Sequence, residues 1–153
     1  MEKEPLNALI VYTSNSPTLK ELTKKLNGFI NNSLLEVRVK PAAETEVPHV
    51  CAADIIFFGS DESGSTFGKG EFKELKRAFT GINLAGKVAG LFSCSSTAAI
   101  DSLKEMLKST GITIGGEPYL GCKKEDFGEE SERIKKWVNE VINIYRERFE
   151  NDG

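Results

Sequence analysis

The sequence predicts an α/β fold of three layers, in which helices cover both faces of a doubly wound, five-stranded parallel sheet. Three short apolar runs, residues 8–12, 55–59 and 88–92, have the composition of strands that are buried on both faces. Segments with apolar residues at helical spacing follow these runs along the chain. This alternation of strands with helices is typical of a parallel sheet.

The length and composition predict one domain over residues 1–153. Of the 153 residues, 39% are hydrophobic and 28% charged, which is enough to bury a core without metals or disulfides. The formal net charge of −3 and the lack of a basic stripe argue against a nucleic-acid partner. Three scattered cysteines, no apolar signal at the N-terminus and no membrane-length run predict a cytoplasmic protein without a membrane partner. The oligomeric state is left open.

The first half of the chain predicts a buried strand, a helix and an edge strand. After the first apolar run, Ser16 is the expected N-cap and Pro17 the first residue of a helix with apolar positions over 19–30. Residues 35–40 alternate between apolar and charged, which indicates a half-exposed strand at a sheet edge. Residues 41–53 hold two prolines and predict no long helix before the second apolar run.

The second half predicts the rest of the sheet and its covering helices. A loop rich in glycine and serine, residues 60–70, leads to a short helix over 72–79. The third apolar run leads to a helix with its apolar face over 100–107. A weaker strand over 112–120 is broken by two glycines and a proline, and a last helix spans about 129–149. With right-handed crossovers and the second strand at an edge, the predicted strand order is 2-1-3-4-5.

The candidate binding site lies on the loops that follow the first, third and fourth strands. Ligands of open α/β sheets bind beyond the carboxyl ends of the strands, where the strand order reverses. Here that point is bordered by residues 13–18, 60–70 and 93–97, which are rich in hydroxyl groups and glycine. The first of these loops opens a helix, whose N-terminus favours an anion.

The three loops hold few side chains suited to catalysis, so no catalytic or metal-binding residue is predicted. The only histidine, His49, lies before the third strand and is expected to be a surface or hydrogen-bonded residue. Cys94 follows a strand and nearly opens a helix, so it is either a small buried residue or an activated nucleophile. Asp61 and Glu62 are expected to be solvated, and beside a redox ring they would lower its potential.

Several segments resemble the flavodoxin family, and the resemblance runs from residue 8 to about residue 145. Residues 8–12 with their Ser/Thr loop resemble the opening strand and phosphate loop of that family. Residues 53–60 (ADIIFFGS) resemble its third strand, and residues 86–93 (GKVAGLFS) its fourth. Trp137 resembles the aromatic residue of the last helix. The resemblance implies a flavodoxin-like fold, non-covalent binding of flavin mononucleotide (FMN) and electron transfer with redox protein partners.

The resemblance also implies that residues of the three loops bind the cofactor. Thr13, at the end of the first strand, is one of them. It implies that the FMN phosphate is held by Ser14, Asn15, Ser16 and Thr18. It implies that the isoalloxazine ring is bordered by Ser60, Asp61, Glu62, Ser63 and Gly64 and by Ser93, Cys94, Ser95, Ser96 and Thr97.

The same loops depart from the family pattern. The family's phosphate loop reads Thr/Ser-x-Thr-Gly-x-Thr, whereas residues 13–18 read TSNSPT, which lacks the glycine and gains Pro17 without an N–H donor. Residues 93–97 contain no aromatic side chain, and the nearest one in the second loop is Phe67. Two main hypotheses follow: a flavin-binding electron-transfer protein, or a binding or regulatory module that has lost the flavin and binds phosphate or another small anion. An enzyme with Cys94 as nucleophile is a third, without an obvious base.

Overall fold

The computed structural model describes residues 6–31, 35–94, 96–121 and 127–150. Its strands are β1 (Leu6–Tyr12), β2 (Leu35–Pro41), β3 (Ile55–Gly59), β4 (Val88–Ser93), β5 (Thr113–Ile114) and β6 (Tyr119–Leu120). Its helices are α1 (Pro17–Asn31), α2 (Val47–Cys51), α3 (Gly64–Lys69), α4 (Lys73–Ala78), α5 (Thr97–Leu107) and α6 (Phe127–Tyr145). A 3₁₀ turn spans Ala42–Glu44, and a π-helical turn spans Arg146–Glu150.

The parallel sheet has the predicted strand order, β2-β1-β3-β4-β5, with β6 also paired to β4. The predicted last strand is divided into β5 and β6, two residues each, which pair with successive parts of β4. Gly116, between them, has a φ of +66°. This is the left-handed region that favours glycine, so the chain leaves the sheet and returns where the glycines and proline predict a break.

The core has two parts because successive residues of each strand point to opposite faces of the sheet. On one face, Ala8 and Ile10 of β1 pack with buried residues of α1 and α6. On the other face, Leu9 and Val11 pack with buried residues of α2, α4 and α5. Helices on both faces explain why β1, β3 and β4 read as continuous apolar runs instead of alternating ones.

Two glycines in the central strands are required by close packing. A Cβ at Gly90 of β4 would lie 2.9 Å from the Phe57 ring and 3.1 Å from a Val141 methyl of α6. A Cβ at Gly59, the last residue of β3, would overlap the ring of Phe92 on the neighbouring strand. Gly90 therefore lets α6 pack close to the sheet, and Gly59 leaves room for the Phe92 ring of the neighbouring strand.

An aromatic cluster lies between α6 and the sheet. Its centre is Trp137, which is 6% exposed. The Trp137 ring makes edge contacts with Phe57 and Phe92 at centroid distances of 5.4 and 6.1 Å, and a tilted contact with Tyr119 at 5.6 Å. Among the described residues, none accepts a hydrogen bond from the buried Trp137 Nε1–H. This indole is therefore held by packing, and its donor is unsatisfied within the described part of the chain.

The predicted loop over 60–70 is wrong in part, because α3 forms within it. Phe67 supplies the apolar anchor of this helix: it is 2% exposed and its ring stacks on Phe72 at 5.2 Å. Burial of one aromatic side chain outweighs the low helix propensity of the surrounding glycine, serine and threonine.

Over the described residues, no helix combines the length and apolar character needed to cross a membrane.

Candidate functional site

The register of the sheet places the starts of the three candidate loops side by side. Tyr12 lies opposite Gly59, which lies opposite Phe92. The Thr13 N–H donates to the Gly59 carbonyl at 3.2 Å, and the Ser60 N–H donates to the Phe92 carbonyl at 3.2 Å. The loops after β1, β3 and β4 therefore begin at one edge of the sheet, at the reversal of strand order.

The first loop ends in the predicted helix cap. The Ser16 Oγ accepts a hydrogen bond from the Leu19 N–H at 3.3 Å, and α1 begins at Pro17. Thr13 is fully buried, and its hydroxyl has no hydrogen-bond partner within the described part of the chain. Ser14 and Asn15 are exposed. The loop thus presents hydroxyl and backbone donors at a helix N-terminus.

Asp61 connects all three loops through its carboxylate. Its Oδ2 accepts a hydrogen bond from the Ser16 hydroxyl at 2.8 Å. Its Oδ1 accepts from the Ser93 hydroxyl at 2.8 Å and from the Cys94 N–H at 2.9 Å. The carboxylate is the common acceptor for three donors from two other loops, and hydrogen bonds to a charged group are the stronger kind. Asp61 is therefore a structural bridge at the centre of the site rather than a solvated acid.

Glu71 accepts hydrogen bonds from two further donors of the first loop. Its Oε1 accepts from the Ser14 hydroxyl at 2.8 Å, and its Oε2 accepts from the Asn15 N–H at 3.1 Å. Glu71 lies between α3 and α4, outside the residues predicted for the site. No sequence pattern relates position 71 to position 15, so this contact could not be predicted. The only signal in the sequence is that residue 71 is acidic.

Glu62 lies beside Glu71, and the pKa of its carboxyl group is raised. Burial is the main cause, and the nearby Glu71 charge adds to it. Hydrogen bonds from the Asn15 side chain and the Glu71 backbone act in the opposite direction. Glu62 Oε1 is buried and has no partner among the described residues. Two carboxylates thus share a small volume at the first loop.

The stability of the Glu62→Gln variant relative to the unmodified protein should increase as the pH rises. A carboxyl with a raised folded-state pKa contributes stability below its unfolded-state pKa and loses it as the pH passes the folded value. The difference in Tm between Glu62→Gln and the unmodified protein should therefore grow between about pH 4 and pH 7. Glu74→Gln, an exposed acid on α4, is the control. A difference for Glu62→Gln that is constant with pH would contradict this result.

The third loop is organised around Ser93. The Ser93 side chain is fully buried, and its Oγ accepts a hydrogen bond from the Ser96 N–H at 3.3 Å in addition to its bond to Asp61. Ser96 caps α5, because its Oγ accepts from the Ala99 N–H at 3.0 Å. Ser95 lies outside the described residues, and Thr97 is exposed as the first residue of α5.

Cys94 is disulfide-bonded, and its partner lies outside the described residues. A disulfide is uncommon in the reducing compartment that the three scattered cysteines predict. A disulfide leaves no thiolate at this position, which removes the physical basis of the nucleophile hypothesis. Cys51 is an exposed free thiol. His49 lies in α2, and its Nδ1 accepts a hydrogen bond from the Glu46 N–H at 3.0 Å, so it serves as part of a helix cap.

The other polar groups of the second loop bond within the loop or to α5. The Ser60 hydroxyl accepts from the Glu62 N–H at 3.0 Å and donates to the Glu62 carbonyl at 3.2 Å. The Gly64 N–H donates to the Ser102 hydroxyl at 3.1 Å. Ser63, like Thr18 in the first loop, is half-buried. The Phe67 ring is buried against α4, so this aromatic side chain is not placed to stack on a ligand.

Comparison with solved structures assigns the fold. No protein-family model matches the sequence, and no curated protein matches it. A short-chain flavodoxin associated with a non-canonical PDU bacterial microcompartment has a TM-score of 0.78 and 19% identity, over 92% of this chain and 99% of that one. The chain has a flavodoxin-like fold.

Two further flavodoxins have the same arrangement as this flavodoxin-like chain. The Streptococcus pneumoniae TIGR4 flavodoxin matches with a TM-score of 0.76 and 22% identity, over 90% of this chain and 99% of that one. The Fusobacterium nucleatum flavodoxin bound to flavin mononucleotide matches with a TM-score of 0.67 and 13% identity, over 90% and 98% of the two chains. At these identities the likeness establishes the fold alone.

The residues of the flavodoxin-like chain fit one end of FMN better than the other. The first loop can bind an oxyanion, because its hydroxyl and N–H donors already hold the two oxygens of the Glu71 carboxylate. The second and third loops offer polar groups and backbone to a ring, without an exposed aromatic partner among their described residues. Within the described ranges, no cluster of three or more His, Cys, Asp or Glu side chains could hold a metal ion.

Proposed function

We propose that the flavodoxin-like chain binds FMN non-covalently at the three loops and carries electrons between redox protein partners. The observation that carries this proposal is the first loop, which holds two anionic oxygens at the N-terminus of α1. The Ser14 hydroxyl and the Asn15 N–H bind the Glu71 carboxylate with two hydrogen bonds, the geometry that an oxyanion of the ligand requires. The fold shared with flavodoxins supports the same site.

In this proposal, Ser14, Asn15, Ser16 and Thr18 bind the phosphate group. The fully buried Thr13 hydroxyl, without a partner among the described residues, is a further group available to the first loop. Binding of the phosphate requires the Glu71 side chain to move away from its two donors.

Residues 60–64 and 93–97 border the ring in this proposal. FMN supplies the redox chemistry when bound, and the protein binds and orients the flavin. Asp61 and Glu62 place negative charge near the ring, which disfavours an anionic reduced flavin and lowers its potential. The short hydrogen bonds of Asp61 to Ser16 and Ser93 keep this charge in place.

A second candidate function is a binding or regulatory module that has lost the flavin. It is favoured by the use of the loop donors in the structure, since Asp61 engages Ser16 and Ser93 while Glu71 engages Ser14. If these contacts persist in the working protein, the carboxylates replace the ligand and stabilise the loops on their own. The two candidates make opposite predictions about flavin binding.

The purified protein should bind FMN, and the absorbance of the complex should peak near 450 nm, roughly, as for flavins in general. Titration of FMN with protein should quench flavin fluorescence, and the bound flavin should be reduced by dithionite and reoxidised by an electron acceptor. The variant Ser14→Ala should bind FMN more weakly, by about tenfold, for the loss of one hydroxyl hydrogen bond to a charged phosphate. Ser109→Ala, an exposed serine after α5, is the matched control. A colourless protein that leaves added FMN unquenched would favour the flavin-free module instead.

A further inference from the structure

The Glu71 carboxylate competes with a ligand phosphate for hydrogen-bond donors of the first loop. Both oxygens of its carboxylate are engaged, one by the Ser14 hydroxyl at 2.8 Å and the other by the Asn15 N–H at 3.1 Å. A ligand phosphate would need the same two donors. The structure therefore places a side chain of the protein where an oxyanion of the ligand would bind.

The backbone that carries Glu71 packs against Glu62. The Glu71 backbone is hydrogen-bonded to the Glu62 side chain, which also receives a hydrogen bond from the Asn15 side chain. A Cβ at Gly70 would overlap the Glu62 carboxylate, so the chain just before Glu71 packs closely against that group. Glu71 is half-buried in this arrangement. Its two hydrogen bonds to the first loop lie at the exposed side of this packed cluster.

The charge of the cluster opposes a phosphate group as well. A phosphate monoester carries about −1.5 to −2 at neutral pH. It would replace one carboxylate at the first loop and remain close to two others, those of Asp61 and Glu62. A flavin without the phosphate meets neither obstacle, because it leaves Glu71 on its donors and adds no negative charge.

We propose that Glu71 sets the specificity of the site, by competing with the ligand phosphate for Ser14 and Asn15 and so reducing the preference for FMN over riboflavin. The inference rests on the proposed function, since it assumes that the loops accept the isoalloxazine ring. Phosphate recognition then depends on one side chain: with Glu71 removed, Ser14 and Asn15 are available to the phosphate, along with the buried Thr13 hydroxyl that has no partner in the described chain.

The test compares FMN with riboflavin on Glu71→Gln, Glu71→Ala and the unmodified protein, by quenching of flavin fluorescence. Glutamine keeps the shape of the side chain and removes its charge, and alanine removes the competitor. The control is Glu74→Gln, which makes the same charge change at an exposed position three residues away. Both Glu71 variants should raise the affinity for FMN by about tenfold or more and leave that for riboflavin unchanged. Glu74→Gln should leave the ratio of the two affinities near that of the unmodified protein.

Two further outcomes separate this inference from the proposed function. If both flavins bind and the FMN-to-riboflavin ratio is the same in all four proteins, the inference is overturned and the proposed function stands. If no flavin binds to any protein, the proposed function fails, and thermal unfolding in inorganic phosphate against chloride at equal ionic strength decides the inference. Stabilisation by phosphate confined to the two Glu71 variants supports the role of Glu71, and an equal effect on all four overturns it. Thermal unfolding without ligand verifies that each variant is folded.

Discussion

Replacing Trp137 by alanine should lower the free energy of unfolding by about 3–5 kcal/mol, the usual cost of removing a buried aromatic side chain. Trp137 is 6% exposed and touches the rings of Phe57, Phe92 and Tyr119. Alanine would leave a cavity between α6 and the sheet, where rigid strands limit relaxation. Urea denaturation followed by circular dichroism measures the change, and an unchanged m-value shows that the extent of unfolding is the same.

Trp137→Phe should be much less costly, at about 1 kcal/mol or below, although it also removes atoms from the core. The indole N–H is buried and has no acceptor among the described residues, so its loss removes an unsatisfied donor that costs about 1–3 kcal/mol. Lys136→Ala, at the exposed neighbouring position of α6, is the control and should change stability by less than about 0.5 kcal/mol. Equal losses for phenylalanine and alanine would show that the indole N–H has a partner in solution.

Replacing Asp61 by alanine should destabilise the protein by about 2–4 kcal/mol, because one carboxylate serves three donors and such contributions are not additive. The variant leaves the Ser16 and Ser93 hydroxyls and the Cys94 N–H without their acceptor. Ser93 is fully buried, so water does not readily replace the lost partner. Chemical denaturation measures the loss, and amide hydrogen exchange of Cys94 should become faster as its N–H loses protection.

Asp61→Asn separates the geometry of this bridge from its charge. The asparagine oxygen can accept from Ser93 and Cys94, and its amide can donate to the Ser16 hydroxyl, which is able to reverse its role. Its cost should therefore be less than half that of alanine. Asp101→Ala, an exposed acid on α5, should have no measurable effect. If Asp61→Ala were as stable as Asp101→Ala, the bridge would not form in solution.

The fold could be predicted from the sequence because it depends on features that are local in the chain. The continuous apolar runs of β1, β3 and β4 report burial on both faces, and the alternation in β2 reports an edge. Connection rules then leave few strand orders, and the predicted one is confirmed. The sequence does not predict helix α3, because the stability of this helix comes from Phe67 packing on Phe72, a tertiary contact that local helix propensity does not include.

The position of the site could be predicted, and its internal contacts could not. The carboxyl ends of the strands follow from the strand order, so the three loops meet as expected. The roles of Asp61 and Glu71 depend on which donor each carboxylate reaches across 45 and 56 residues of sequence. The sequence predicts that Asp61 is solvated, since acids on loops are usually exposed, and it predicts no role for Glu71. Only the folded backbone shows which donors each carboxylate meets.

The fit of Gly59 against the Phe92 ring constrains how this sequence can change over evolutionary time. The two residues lie opposite each other in neighbouring strands, and a Cβ at position 59 would occupy the volume of the ring. The size of one residue therefore limits the size of the other, so that a larger residue at 59 is tolerated only with a smaller one at 92. Both positions immediately precede candidate loops, so a paired substitution here would also shift the start of two loops at the site. The residues at positions 59 and 92 are thus expected to covary among descendants of this chain. Sequence changes in the core and sequence changes at the site are linked through these two positions.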